Sequence, residues 1–213
     1  MTVRWTFTDR GHGDLSIGQP EEVLAPRRAA VAPGPWTWLR QVHGADVVTV
    51  ASPGAWAGSA ADAAVTAAAG VTLAVQTADC APVLLLADGA VGVVHAGWRG
   101  LLAGVVEATA AALAELGTPP TAAVLGPCIR PRCYAFGDAE LDEVAARYGD
   151  AVRARTADGA PALDLAAGIA AACAGLGLAL DDAGTCTACS PRHWSYRARA
   201  DAGRQALVAW IEP

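Results

Sequence analysis

Lysine is absent: every one of the 15 basic side chains in this 213-residue chain is an arginine. Without a lysine amine there is no Schiff base to a carbonyl substrate and no P-loop lysine to hold a nucleotide phosphate. Pyridoxal-type enzymes and Walker-type nucleotide hydrolases are therefore excluded. No basic cluster stands out either, and the formal net charge is −6, so a groove that works by neutralising phosphates is not expected and nucleic acid is not a partner. Uninterrupted apolar runs of about 18–20 residues are missing, which argues against a membrane span. The opening MTVRWTFTDR carries no apolar core of signal-peptide length, so a cytoplasmic protein is expected. Histidine is scarce, at four, and methionine occurs only as Met1. Both scarcities constrain the metal chemistry considered below.

Apolar residues make up 54% of the chain, much of it alanine, and the length suits one domain over residues 1–213 with a sizeable core. Strand patterns fall at Val3 to Thr8, on both sides of the His43-Gly44 turn in WTWLRQVHGADVVTV, and in TAAVLGP. Three further runs lie in GVTLAVQTADCAPVLLLADGAVGVVHAG, broken at Asp79-Cys80 and Asp88-Gly89. The tail GRQALVAWIEP reads as a closing strand. Helices are expected over Glu21 to Val31 (interrupted at Pro26), Leu101 to Leu116, Ala139 to Tyr148 and Leu163 to Leu176. Ser52 to Ala61 reads as loop. Strands and helices alternate without the βαβ rhythm of a doubly wound fold, which predicts a single α/β (α+β) domain with mixed central sheets flanked by helices. The six cysteines, with no secretory leader, are expected to be reduced. Cys186 and Cys189 form a CxxC in TCTACS. No second pair completes a zinc ribbon, and no strand-to-helix context makes it a redox motif, so the pair is read as two small, partly buried residues. Cys133 and Cys173 carry no functional signal.

Three residues close apolar runs at comparable corners: His43 after TWLRQV, Cys80 after VTLAVQTAD and His95 after AVGVV. Side chains at strand ends are held rigidly while facing a cleft. Two imidazoles and a thiolate match a catalytic zinc site, in which three protein ligands leave a fourth position open. The same atoms also allow Cys80 to act as a nucleophile with His95 as its base and no metal, and spacing does not separate the two. Asp79 is either a general base beside Cys80 or a turn residue satisfying backbone donors.

The blocks RQVHGADV, LAVQTADCAPVLL, VGVVHAGWRG, LGPCIRPRCYAFG and CTACSPRHWSYR, with the opening FTDRGHGDLSIG, resemble the YfiH-type family. Its members are also called laccase-domain or polyphenol oxidase proteins and peptidoglycan editing factors. The resemblance runs along nearly the whole chain and implies a fold related to the cytotoxic necrotizing factor cysteine hydrolases. In the family, the His, Cys and His of the first three blocks bind zinc, which implies metal ligation by His43, Cys80 and His95. One departure lies in SYRARADAGR: Arg197 and Arg204 are kept, but Ala198 and Arg199 stand where the family has a second arginine and an aspartate.

The resemblance implies a zinc-dependent enzyme of purine nucleosides. The expected activities are phosphorolysis of adenosine, inosine, guanosine and methylthioadenosine, and deamination of adenosine by a zinc-activated water. Phosphorolysis needs an anion site. Gly97 to Leu101, read as the start of the Leu101 to Leu116 helix, offers backbone N–H groups, and Arg99 offers a guanidinium. Trp98 either stacks on a base or caps the core, and Cys128 either faces the cleft or packs. A copper polyphenol oxidase fits poorly, because a mononuclear centre plus a trinuclear cluster needs far more imidazoles than four, and no internal methionine serves as an axial ligand. Copper remains an adventitious occupant of the His-Cys-His set, since Cu²⁺ outcompetes Zn²⁺ at such donors. The alternative activity is a cysteine or metal hydrolase acting on peptidoglycan precursors, and a third reading is a non-catalytic binding module. The expected partners are small molecules, with the chain a monomer or small homo-oligomer.

Overall fold

Alternating apolar residues in the computed structural model, which describes residues 2–212, build two stacked sheets with helices outside them. In chain order the elements are β1 (Val3–Phe7), α1 (Glu21–Val31), β2 (Trp36–Trp38), β3 (Val47–Thr49), β4 (Ala63–Thr66), β5 (Thr72–Thr77), β6 (Ala81–Ala87) and β7 (Ala90–Ala96). There follow α2 (Trp98–Ala103), α3 (Val105–Glu115), β8 (Pro120–Leu125), α4 (Asp138–Tyr148), β9 (Arg153–Arg155), β10 (Pro161–Leu163), α5 (Leu165–Gly175), β11 (Ala179–Asp182), α6 (Tyr196–Arg199) and β12 (Gln205–Ile211). One sheet runs β1-β12-β5-β2 and the other β11-β8-β6-β7-β4-β3, while β9 and β10 form a separate hairpin. Both large sheets are mixed, with parallel pairs β2–β5, β3–β4 and β8–β11 among antiparallel ones. The chain is a single α/β domain.

The period of two along each strand assigns its faces. Leu73 and Val75 of β5, Leu84 of β6, Val91 and Val93 of β7 and Leu207 and Ala209 of β12 fill the space between the sheets. The alternate residues of the six-stranded sheet, such as Val65, Val83, Leu85 and Val94, pack on Val106 and Leu113 of α3 and Ile169 of α5. On the outer face of the four-stranded sheet, Trp36, Ala74 and Val208 pack with Leu15 and Ala32, where α1 ends. Truncating one such buried leucine to alanine costs about 2–5 kcal/mol.

Three expectations change in detail. The helix expected over Leu101 to Leu116 begins three residues earlier, at Trp98, and is two helices. Gly104 divides them at φ 89°, a left-handed conformation that costs glycine nothing. Pro26 lies inside α1 without ending it. The carbonyl that loses its partner belongs to Glu22, which is exposed to water. The two strands around His43 do not pair with each other: β2 joins β5 in one sheet and β3 joins β4 in the other. Non-local pairing sets that outcome, and it places the His43 loop on a path from one sheet to the other.

Candidate metal centre

Cys80 and His43 both lie where the chain passes between sheets, Cys80 on the β5–β6 connection and His43 on the β2–β3 connection. His95 shares the face of Val91 and Val93 and is the last inward residue of β7. The three therefore meet at the open end of the inter-sheet core. The His43 Nε2 atom is 3.8 Å from the Cys80 sulfur. One ligating atom from each of the three residues lies within 4.8 Å of the others. The imidazole rings stand edge to face with centroids 4.8 Å apart. His95 is buried, Cys80 half-buried and His43 exposed, so the group forms one wall of a cleft. That cleft encloses about 630 Å³ and is lined also by Arg40, Gln41, Gln76, Tyr196 and Arg204.

Asp62 holds this arrangement. Its fully buried carboxylate accepts the backbone N–H groups of Val42, His43 and Gly44 at 3.2, 2.9 and 2.8 Å. It also lies 2.8 Å from His95 Nδ1. An ionised carboxylate only accepts, so Nδ1 carries the proton and the Nε2 lone pair of a neutral His95 is left for the cleft. One acidic side chain thus orients two candidate ligands, one through its ring and one through its backbone. Burial alone would raise the Asp62 pKa, but the bonds from His95 and Gly44 outweigh it and hold the group below the usual carboxylate range. The residues on the path between sheets are conformationally costly: His43 has φ 60° and Asp79 φ 98°. Gly97 is required by space rather than by φ. A Cβ there would stand 2.7 Å from His43 Cδ2 and 3.2 Å from the Cys80 sulfur.

Without a metal, Cys80 and His95 form a charge pair. Burial would raise the thiol, but the His95 charge and the imidazole hydrogen bonds bring it down to about 6. Burial would lower His95, but the Cys80 thiolate and the Asp62 carboxylate lift it to about 9. The donor set of two imidazoles and one thiolate, converged and backed by a carboxylate on the distal ring nitrogen, fits a tetrahedral zinc ion with one position open.

The other residues singled out from the sequence lie elsewhere. Asp79 accepts Thr187 Oγ1–H at 2.6 Å and Arg197 N–H at 2.7 Å, one on each carboxylate oxygen. Both carboxylate oxygens are thus engaged in holding the C-terminal loop. Trp98 is edge-on to Phe136, and the exposed Arg99 lies 4.2 Å over its ring, so Trp98 caps the helix-side core. Neither Trp98 nor Arg99 is among the cleft-lining residues. The helix behind Gly97 is the six-residue α2, not the start of a long one. Cys128 is fully buried in the core, and burial pushes its thiol up to about 12. His12 and His193 are engaged with Asp9 and Ser190, and neither lines the cleft. Arg199, where the family pattern departs, ties its own loop through the carbonyls of Ala188 and His193 and the Asp201 carboxylate. Asp62 and Gln41 escaped notice in the sequence. A lone acid in SAADAAV was the available signal, since an acid in an apolar strand needs a partner. Gln41 extends the β2–β5 pairing with its amide, donating to Gln76 O and accepting Gln76 N–H at 2.7 and 2.8 Å.

Residues 15–212 match the model of the family described as multi-copper polyphenol oxidoreductase laccase, and the chain belongs to that family. It is 43% identical to purine nucleoside phosphorylase SCO2081 of Streptomyces coelicolor, over 97% of this chain and 94% of that protein. The crystal structure of Neisseria meningitidis protein NMB0706, of the family model DUF152, superposes with a TM-score of 0.85. The match covers 99% of this chain and 95% of that one at 28% identity. The crystal structure of Bacillus licheniformis YfiH matches in fold with the same TM-score, 0.85, at 22% identity, covering 99% of this chain and 93% of that one. No helix among the described residues is long and apolar enough to cross a membrane.

Proposed function

We propose that the chain is a zinc-dependent purine nucleoside phosphorylase whose cleft also admits adenosine for deamination. The convergence of His43, Cys80 and His95 on one wall of a cleft whose rim carries Arg40 and Arg204 carries this reading. The homology to a purine nucleoside phosphorylase supports it. The cleft volume lies within the ~300–1,000 Å³ typical of small-molecule sites. His43, Cys80 and His95 hold the metal, which when bound supplies Lewis-acid polarisation of an oxygen placed in the cleft. Asp62 keeps His95 in the ligating tautomer. Arg40, whose guanidinium has no intramolecular partner among the described residues, receives the phosphate together with Arg204. This assigns the anion to the cleft arginines rather than to Arg99. Asp79 acts as a positioning residue that joins the Cys80 turn to the loop carrying Thr187 and Arg197. The family description notwithstanding, a polyphenol oxidase chemistry of several coppers lacks donors here. Among the described residues, one cluster contains histidine, and it has two.

A specific geometry favours a second reading. Cys80, His95 and Asp62 are ordered as nucleophile, base and orienting acid, the constellation of a cysteine hydrolase acting on amides such as peptidoglycan precursors. One experiment separates the two. Zinc-loaded protein is incubated with adenosine and inosine, with and without phosphate, and free base, ribose 1-phosphate and ammonia are measured. Phosphate-dependent base release that chelator abolishes and zinc restores supports the phosphorylase. Activity on amide substrates that survives complete metal removal would replace it with the hydrolase.

A further inference from the structure

A second cluster of soft donors lies outside the cleft. Cys133 ends the 3-10 turn Pro131–Cys133, and Cys186 and Cys189 belong to the loop that follows β11. The sulfurs of all three lie within 4.8 Å of one another, with Cys133 and Cys189 at 3.3 Å. Sulfurs around a tetrahedral zinc, at Zn–S of about 2.3 Å, stand about 3.8 Å apart, so the triangle already has the size of a ligand set.

The backbone orders the CxxC turn: Ser190 N–H donates to Cys186 O at 3.0 Å, closing the turn that carries both sulfurs. That turn is fixed to the neighbouring segment by Cys128 N–H on Thr185 O and Thr187 N–H on Cys128 O.

We propose that Cys133, Cys186 and Cys189 form a second, trithiolate zinc site that staples the C-terminal loop to the segment after β8. It closes the chain across 56 residues. The staple bears on the first site, because Thr187 lies inside the CxxC turn and donates to Asp79, the neighbour of Cys80. Arg197, ten residues on, grips the other Asp79 oxygen and the carbonyl of Ala135, two residues after Cys133.

The test uses the full chain, reduced and stripped of metal, then titrated anaerobically with Co²⁺ or Zn²⁺. The parent is expected to bind about two equivalents, with an intense thiolate-to-Co²⁺ charge-transfer band from the three-sulfur site. Cys186→Ser with Cys189→Ser should remove about one equivalent and most of that band, leaving the equivalent that Cys80→Ser removes. The single variant Cys189→Ser changes an exposed side chain and gives the same reading should the double variant fail to fold. In the Cys80→Ser background, zinc should slow hydrogen exchange across residues 186–199. A parent that binds about one equivalent, lost in Cys80→Ser and untouched in Cys189→Ser, overturns the proposal. So does a Cys133–Cys189 disulfide that persists under reductant and binds no metal.

Discussion

Replacing Asp62 with asparagine tests whether the proposed metal ligands depend on a single buried carboxylate. Alanine is the poorer choice, because it would leave the N–H groups of Val42, His43 and Gly44 unpaired in a buried site at about 1–3 kcal/mol each. Asparagine keeps the shape but offers one oxygen where the carboxylate offers two. If that oxygen stays with Val42 and Gly44, the NH₂ group faces the His43 N–H and His95 Nδ1–H, and donors oppose each other. If it stays with His43 and His95, the NH₂ faces the Val42 and Gly44 N–H groups instead. Either way one charge-assisted hydrogen bond is lost, about 1.5–3 kcal/mol, equivalent to a roughly tenfold to hundredfold weaker zinc affinity. In a chain of this size the same loss lowers the Tm by roughly 3–12 °C if it falls on folding. The assay is zinc competition against a chromophoric chelator, run beside thermal unfolding of the metal-free protein. The sign of the pH dependence follows from the lowered Asp62 pKa. Its contribution to stability is present above the ordinary carboxylate value and is lost as pH falls through the depressed one, so the variant should lack that acid-side loss. Zinc affinity within about twofold of the parent, with a lowered Tm, would refute the reasoning and reduce Asp62 to a core contact.

In metal-free protein, alkylation of Cys80 should rise with a midpoint near pH 6, the depressed value of its thiol, and bound zinc should suppress it; a midpoint near that of a free thiol counts against the charge pair. The stability due to the Cys80 thiolate is lost as pH falls through about 6 and that due to His95 as pH rises through about 9, so the metal-free protein should hold its pair, and its most stable site, between those limits. Gly97→Ala should lose zinc by roughly tenfold or more in affinity with the fold retained, because the new Cβ meets His43 at 2.7 Å; unchanged affinity would show that the ring swings aside freely. Arg40→Ala should raise the phosphate concentration needed for nucleoside cleavage by roughly tenfold to hundredfold, whereas Arg99→Ala should not, and the reverse pattern would return the anion to the α2 turn.

What could be read in the sequence was local. The corner positions of His43, Cys80 and His95 follow from the apolar runs that lead to them; those runs are β2, β5 and β7, of which β2 ends at Trp38, short of His43. Gly104 did not read as a break, because one glycine inside a helical pattern costs only about 1 kcal/mol and is often tolerated. Its φ is set by the turn that lets α2 leave the β7 end while α3 packs on Val65 and Leu85. The short strands β9, β10 and β11 carry three or four residues each, too few to show a period. Asp62 was hidden because its worth lies in partners distant in sequence. Cys133 was hidden for the same reason: nothing near it announces the CxxC that the parallel β8–β11 pairing brings alongside.

The same non-local pairing explains why the site lies where it does. A sheet pair with an apolar core between its layers must end somewhere, and at that end the segments passing from layer to layer have no ladder to complete. Their backbone groups need other partners: Asp62 bonds the N–H groups of the His43 turn, and Ile129 N–H bonds Asp79 O, while the Asp79 carboxylate is held by Thr187 and Arg197. Buried acids used this way are costly unless fully bonded, and both are. Once bonded, they hold His43 and Asp79 in left-handed conformations that an unsupported turn would leave. The groups that complete the fold at its open end are therefore the groups that aim the ligands. Stability and site geometry are coupled through Asp62 and Asp79, and substitutions there should not separate them as cleanly as substitutions at Arg40, which meets the cleft without closing the fold.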